Sequence, residues 1–228
     1  DVPMSEADAS GSMQKARMRR AKELASSIPG AWYPCQHQNP LNHLAHAVFT
    51  AREIEAAFGE RLDALVVGVS TAGQIMGIAS YLLPRFPSLK LVGVDVLGSV
   101  IMGTPAGPYK MTGIGLSFVP AHLKYEVMDC AYVVPENVAY SVCHALVRTE
   151  GLLLGASTGA IVAAGLSFAA TLPRGSRVLM VNPDRGDRYL ETVYDSTWLL
   201  QNGFSIVSGE SLEQSILGLK ATRFERHG

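Results

Sequence analysis

Residues 65–77 read LVVGVSTAGQIMG: an apolar, β-branched run, a turn of small residues, and the first residues of a helical pattern. A strand that feeds such a turn into a helix leaves backbone N–H groups and the positive end of the helix dipole facing one point, which is the build of an anion site. The segment Gly68-Val69-Ser70-Thr71-Ala72-Gly73 keeps the two glycines of the nucleotide hydrolases' phosphate loop, G-x-x-x-x-G-K-[ST]. Gln74 and Ile75, however, stand where the lysine and the magnesium-binding hydroxyl belong. Ser70 likewise takes the second glycine of the dinucleotide fingerprint G-x-G-x-x-G, where backbone must come close to a pyrophosphate. The frame therefore favours a phosphate without naming its owner. A strand-to-helix turn with no ligand is the plain alternative, since every parallel sheet has several.

Outward from this turn the rhythm is regular. Short apolar runs at 64–69, 89–96 and 177–183 predict strands, and periodic segments at 51–58, 74–83, 136–149 and 159–170 predict helices. GLLLG (151–155) and AWYPCQ (31–36) read as further short strands, and FSIVSGESLEQSILGLK (204–220) as a strand and a helix whose apolar residues cover a subunit interface. Strands alternating with helices give an α/β chain with a parallel sheet covered on both faces. Near the start, Met18, Ala21, Ala25 and Ile28 make one apolar stripe on a helix over 12–27 that Pro29-Gly30 ends. Its basic residues Lys15, Arg17, Arg19, Arg20 and Lys22 surround the helix, the pattern of a solvated surface instead of a nucleic-acid face.

Composition narrows the function classes. With 228 residues, 48% of them hydrophobic and 17% charged, the chain has enough apolar material for a large core. Nineteen basic against 20 acidic residues give no general attraction to nucleic acid or an anionic membrane, so small molecules are the expected partners. The three cysteines, Cys35, Cys130 and Cys143, are odd in number and far apart, which fits free thiols in a cytoplasmic setting. The apolar stretch at 151–171 is interrupted by Gly, Ser and Thr in a way that suits a buried strand, turn and helix better than a bilayer span. No secretory signal opens the chain, and its first residues, DVP, suggest a processed, split or truncated polypeptide. His43 and His46 share a helical spacing, but without a third ligand in register they read as structural, and no metal is expected.

A second turn, Gly155-Ala156-Ser157-Thr158-Gly159, matches the G-x-S-x-G elbow of α/β hydrolases, with Asp184 and His227 following in the order those enzymes use. His227 sits one residue from the chain end, a poor place for a general base that must be held within hydrogen-bond reach.

Taken in order, QHQNP (36–40), GVSTAG (68–73), TGIG (112–115), GLLLGASTGA (151–160) and NPDRGDRYLET (182–192) resemble the second portion of the cysteine synthase family. These are the fold type II pyridoxal phosphate enzymes, whose architecture is that of the tryptophan synthase β-subunit. The resemblance implies a remnant of a small domain over 1–48, a large cofactor domain over 49–228, and a missing N-terminal part. It places Ser70, Thr71, Ala72, Gly73 and Gln74 around the cofactor phosphate and Ser157 at the pyridine nitrogen, with Pro183 and Asp184 along the ring edge. A serine hydroxyl hydrogen-bonds that nitrogen but is too weak an acid to keep it protonated, which suits loss of a group from the β-carbon. Gln36 matches a contact to the substrate carboxylate, and Gly113, Ile114 and Gly115 the backbone at the site's mouth. Homodimers and amino-acid substrates are the family expectation.

Within the family, VDVLGSVIMG (94–103) and the 183–199 segment are most similar to the enzymes of 2,3-diaminopropionate and siderophore biosynthesis. Those join O-phosphoserine to glutamate, giving N-(2-amino-2-carboxyethyl)-L-glutamate; a cysteine synthase using O-acetylserine or O-phosphoserine and sulfide is the alternative. The chain departs from the family in one decisive respect. Lys15, Lys22, Lys90, Lys110, Lys124 and Lys220 are its lysines, and none lies in the P-x-x-S-x-K-x-R context of the Schiff-base lysine. Either that lysine belongs to a segment absent from this sequence, or a second chain supplies it, or this is a non-catalytic relative. Ser70 and Ala72, where the family has glycine, are expected to keep negative φ.

Overall fold

The alternation along Ala64–Gly68 sorts the core into two halves. Ala64 and Val66 point to one face of the sheet and Leu65 and Val67 to the other, all four fully buried. A strand apolar on both sides has to be central, and the computed structural model, which describes residues 2–8, 11–59 and 61–225, places it so. The elements are α1 (Gln14–Ser27), α2 (Leu41–Ala45), which runs through a π-helical turn at His46–Thr50 into α3 (Ala51–Phe58), β1 (Ala64–Gly68), α4 (Gly73–Leu82), β2 (Lys90–Val96) and β3 (Cys130–Val134). They continue with α5 (Glu136–Glu150), α6 (Ala156–Ala169), β4 (Val178–Met180), α7 (Ser196–Gln201), α8 (Gly209–Leu217) and β5 (Ala221–Arg223).

The sheet order is β4-β1-β2-β3-β5, parallel throughout except that the edge strand β5 runs antiparallel to β3. Helices α3 and α4 cover one face, α5, α6 and α8 the other. The chain steps from β1 through α4 to β2 on one side and returns through α5 and α6 to β4 on β1's other side. Strand order thus reverses beside β1, and in open α/β sheets the crevice at the carboxyl ends of strands at such a point is where ligands bind. Helix α6 is buried nearly all round, and it lies so close to α5 that a Cβ on Gly159 would sit 2.1 Å from Ala139 O and 2.6 Å from Cys143 Sγ. Cys35, Cys130 and Cys143 are all buried free thiols; burial pushes Cys130 up to about 11 and Cys143 up to about 12, so both stay neutral.

Several expectations need correction. Residues 31–36 form no strand, and at 151–155 there is only a single antiparallel bridge, Leu154 to Arg185. Residues 204–208 are irregular; the strand lies later, at β5, where it finds the free edge of β3. In α8, Leu212 and Ile216 fill the core against α5 and α6. The stripe on α1 is not buried by the described residues: only Ala16 is, and Ile28 is exposed. That helix's arginines pair with acids, Arg19 with Glu6 and Glu23, Arg20 with Glu23. Strand β3 carries no prediction from the sequence, because five residues bounded by Asp129 and Pro135 give too short a run to show a period. Trp198 stacks on Phe204 at 5.8 Å. Among the described residues no helix is long and apolar enough to cross a membrane.

Because the atom facing Gly159 is backbone and cannot rotate away, Gly159→Ala is expected to destabilise the fold by about 1–3 kcal/mol, read as a lower urea midpoint with unchanged slope.

Candidate functional site

Two helix N-termini approach the carboxyl end of β1 from opposite faces. One belongs to α4, entered through the Ser70–Gly73 turn; the other belongs to α6, whose first turn carries Ser157. A third piece of chain, Gly113-Ile114-Gly115, lies between them. Gly115 N–H donates to Val69 O at 2.9 Å, and Ile114 sits so close over Gly68 that a Cβ there would be 2.6 Å from its Cγ2. A Cβ on Gly113 would lie 3.2 Å from Ser157 Oγ. Gly113 and Gly115 both have positive φ, 94° and 82°, a conformation in which glycine is at home and which lets this stretch thread between turn and helix.

On the α4 side the turn is held by its own side chains. Thr71 Oγ1 accepts from Gly73 N at 3.2 Å and from Asn42 Nδ2 at 2.9 Å. Asn42 also donates to Gln36 O at 2.8 Å, and it occupies the space a Cβ on Gly73 would need. Among the described residues the backbone amides of Ser70, Thr71, Ala72 and Gln74 are not used in hydrogen bonds, so the turn presents several donors beside the helix's positive end. Ala72 has φ +63°, the left-handed conformation, contrary to the expectation of negative φ. With its side chain buried, only 3% exposed, and Gly73 opening the helix behind it, the turn tolerates at Ala72 the strain, about 1–2 kcal/mol, that the family's glycine avoids.

On the α6 side Ser157 is 1% exposed, and its hydroxyl takes part in no hydrogen bond among the described residues. Its neighbour Thr158 donates to Asn182 Oδ1. Asp184 packs on Gly155, where a Cβ would fall 1.8 Å from its Oδ1; Gly155 N donates to Asp184 O at 3.1 Å. Asp184 Oδ2 accepts from the Tyr189 hydroxyl at 2.7 Å, and that hydroxyl lies 3.3 Å from Thr112 Oγ1. Asp184 Oδ1 is buried with no partner, an acceptor held ready beside α6. The hydrolase reading fails here. Ser157 lies inside a helix instead of on a strand-to-helix elbow, no strand precedes it, and His227 lies outside the described residues.

The turn residues Ser70 to Gln74, Gly113 to Gly115, Ser157 and Asp184 thus share one end of the sheet; Pro183, exposed, adjoins them, and Gln36, also exposed, joins through Asn42. Asn42 and Tyr189 escaped the sequence reading. Asn42 stands two residues after QHQNP, and only its two hydrogen bonds show what it does. Beside Gln36, burial and then the nearby His122 hold His37 below the usual histidine range, and His122 is lowered by burial and then by His43. His46, paired at 3.0 Å with Thr50 Oγ1, is lowered by burial. All six lysines are exposed. A cavity of about 740 Å³ between α1 and Phe118–Ala121 is lined by none of the candidate residues.

A family model for pyridoxal-phosphate dependent enzymes matches residues 5–184, most of the chain and both helix N-termini. The chain belongs to this family. Pyridoxal phosphate is the family's cofactor, and its members of known sequence include close relatives of this chain. An N-(2-amino-2-carboxyethyl)-L-glutamate synthase of Ralstonia nicotianae is 38% identical over 202 residues, 89% of this chain and 60% of the relative. A cysteine synthase of Helicobacter pylori is also 38% identical, over 173 residues, 76% of this chain and 57% of the relative. Among solved structures, O-acetyl serine sulfhydrylase isoform 3 of Entamoeba histolytica superposes with a TM-score of 0.78 at 30% identity, covering 93% of this chain and 62% of that one. The chain spans about three fifths of the length of the relatives it matches.

The donors present fit such a cofactor: free amides and a helix N-terminus for a phosphate, and the unpaired hydroxyl of the buried residue Ser157 for a ring nitrogen. Asn42→Ala would leave Thr71 Oγ1 and Gln36 O without this donor, and is expected to cost about 1–2 kcal/mol in denaturant melts and to shift the amide NMR resonances of Thr71 and Gly73 while leaving those of β3 in place.

Proposed function

We propose that this chain is the larger part of a pyridoxal phosphate-dependent enzyme of β-replacement on an activated serine, with O-phosphoserine as donor and glutamate as nucleophile, giving N-(2-amino-2-carboxyethyl)-L-glutamate. The observation that carries the chemistry is the meeting of Gly68-Val69, which lead into the Ser70–Gly73 turn, and Ser157 on the one stretch Gly113–Gly115. The choice of nucleophile is supported by the glutamate synthase relative and by its coverage of 89% of this chain. In this reading residues 1–48 are the remnant of a small domain and 49–228 the cofactor domain.

The amides of Ser70, Thr71, Ala72 and Gln74 bind the cofactor phosphate, with Gly73 keeping the helix end accessible. When bound, the cofactor supplies the electron sink that lets a group leave the β-carbon. Ser157 hydrogen-bonds the ring nitrogen without protonating it. Asp184, fixed by Tyr189, and Pro183 line the ring edge. Gln36 orients the substrate carboxylate, and Gly113, Ile114 and Gly115 close the mouth with backbone, whose N–H groups are fixed donors. The amine that must hold the cofactor covalently is not one of this chain's lysines, because an amine of that kind has to be desolvated and all six are exposed. We assign it to polypeptide beyond these 228 residues, in the same gene product or in a partner subunit, the whole working as a homodimer in the cytoplasm.

A cysteine synthase is the second reading, favoured by the Helicobacter pylori relative at the same 38% identity. Incubating the complete gene product with pyridoxal phosphate and O-phosphoserine, and offering glutamate and sulfide in turn, separates them: the glutamate adduct is expected in excess, and cysteine alone would transfer the assignment to the second reading. A complete gene product that yields neither, and no borohydride-fixed cofactor on a single lysine, would end both. The 228-residue chain by itself is expected to give only scattered surface-lysine adducts on peptide mapping.

Lys110 stands two residues from the Gly113 stretch's Thr112, its backbone N–H held by Glu136 Oε1 at 2.8 Å and its side chain exposed beside a cavity of about 370 Å³. As an attractor for a phosphorylated substrate, its replacement by alanine raises KM for O-phosphoserine several-fold with little change in kcat; an unchanged KM removes it from the site.

A further inference from the structure

Asp95, next to last in β2, is fully buried at 0% exposed, and nothing proposed above uses it. A buried carboxyl group is costly unless its lone pairs are used. Its Oδ1 accepts from Val96 N at 2.8 Å and its Oδ2 from Met102 N at 3.3 Å, so the side chain reaches across to the loop that follows its own strand. That loop grips the mouth of the candidate site. The Ser99 hydroxyl donates to Leu116 O at 3.1 Å and accepts from Leu116 N at 3.0 Å and Ile101 N at 3.3 Å. Val100 N donates to the same Leu116 O at 3.0 Å, and Thr104 Oγ1 to Ser99 O. Leu116 follows Gly115, which is bonded to Val69, and Gly113 lies against Ser157. An apolar residue at 95 would fill the same space and leave Met102 N–H without its acceptor.

We propose that Asp95 is a positioning residue: its carboxyl anchors the Ser99–Met102 loop, and through Ser99 that loop holds residues 113–116 between the end of β1 and Ser157. Its meaning for catalysis rests on the function proposed above; the positioning itself does not.

Titration offers a readout that a merely space-filling residue would not move. Burial pushes Asp95 up to about 6, the nearby Ser99 hydroxyl and the hydrogen bonds from Val96 N and Met102 N offsetting part of it. The titratable groups facing it are Tyr109, pushed up to about 12 by burial, then Asp95, Asp8 and Glu136, and Tyr125, raised by burial and then Asp95; both stay protonated throughout the acid range. An opened loop returns Asp95 to water and to the ordinary carboxylate value. The closed form therefore binds the proton more tightly, and closure strengthens as pH falls through about 6 toward the ordinary carboxylate value of 3.8.

The test is amide hydrogen exchange, as protection factors, in the wild-type chain, Asp95→Ala, Asp95→Asn and Ser99→Ala. Asp95→Ala and Ser99→Ala are expected to lower protection at 113–116 at least about tenfold while sparing β1 and β3. Asp95→Asn, which keeps the shape and one acceptor, retains most of that protection and loses the rise toward low pH seen in the wild type. Unchanged protection at 113–116 in Ser99→Ala and Asp95→Ala, a uniform loss across all strands, or a wild-type pH response in Asp95→Asn would each overturn the inference. Should Asp95→Ala fail to fold, Ser99→Ala and Asp95→Asn still decide it. Equilibrium dialysis of the wild-type chain with pyridoxal phosphate runs alongside: absent binding counts against the proposed function and leaves the exchange result standing, whereas binding with unmoved protection overturns the role of Asp95 alone.

Discussion

The hydrogen bond from Gly115 N–H to Val69 O, made possible because Gly68 has no side chain to hold Ile114 away, joins the two halves of this site. Without it the α4 turn and the α6 N-terminus would be separate helix ends on opposite faces of a sheet. With it, a single glycine-rich stretch joins the residues that lead into the α4 turn, Gly68 and Val69, to Ser157 at the start of α6. The constraint is steric as much as electrostatic: the positive φ values of Gly113 and Gly115 let the chain thread where a Cβ on Gly115 would collide with Val96 Cγ1 at 2.7 Å.

Around that junction the structure places its hydrogen bonds where water is excluded and its ion pairs where it is not. The Arg19, Arg20, Glu6 and Glu23 group on α1 is exposed, and pairs of that kind contribute little. Asn42, Ser99, Tyr189 and Asp95 instead make bonds that are wholly or partly buried, those of Asn42 and Ser99 between separate elements and those of Tyr189 and Asp95 across a loop. Losing one leaves a group that water does not readily reach, which costs more than the bond's net contribution. It is these side chains, and not the more numerous charged ones, that hold the candidate residues in place.

Much of the architecture was legible. The strands at 64–68 and 90–96 and the helices α3 to α6 follow from runs and periods long enough to exceed local noise, and the parallel, doubly covered sheet follows from their alternation. The short pieces were not: 31–36 and 151–155 have strand-like composition but no partner edge, while β3 and β5 have little signal and exist because an edge was free. Ala72 is a similar case. Its type argues against a left-handed turn, yet the close packing of Asn42 on Gly73 and the run of α4 behind it leave that conformation as the one that fits.

For the site, residue type and spacing along the chain determined which turns carry donors and which family the chain belongs to, because those motifs are local and each needs only a few consecutive residues. Neither spacing nor composition showed that Asn42 ties Gln36 to Thr71, that Tyr189 steadies Asp184, or that Asp95 reaches the mouth through Ser99. Those links join residues up to dozens of positions apart, and a hydrogen bond between them depends on an ångström-scale approach that only the packed sheet and its helices bring about.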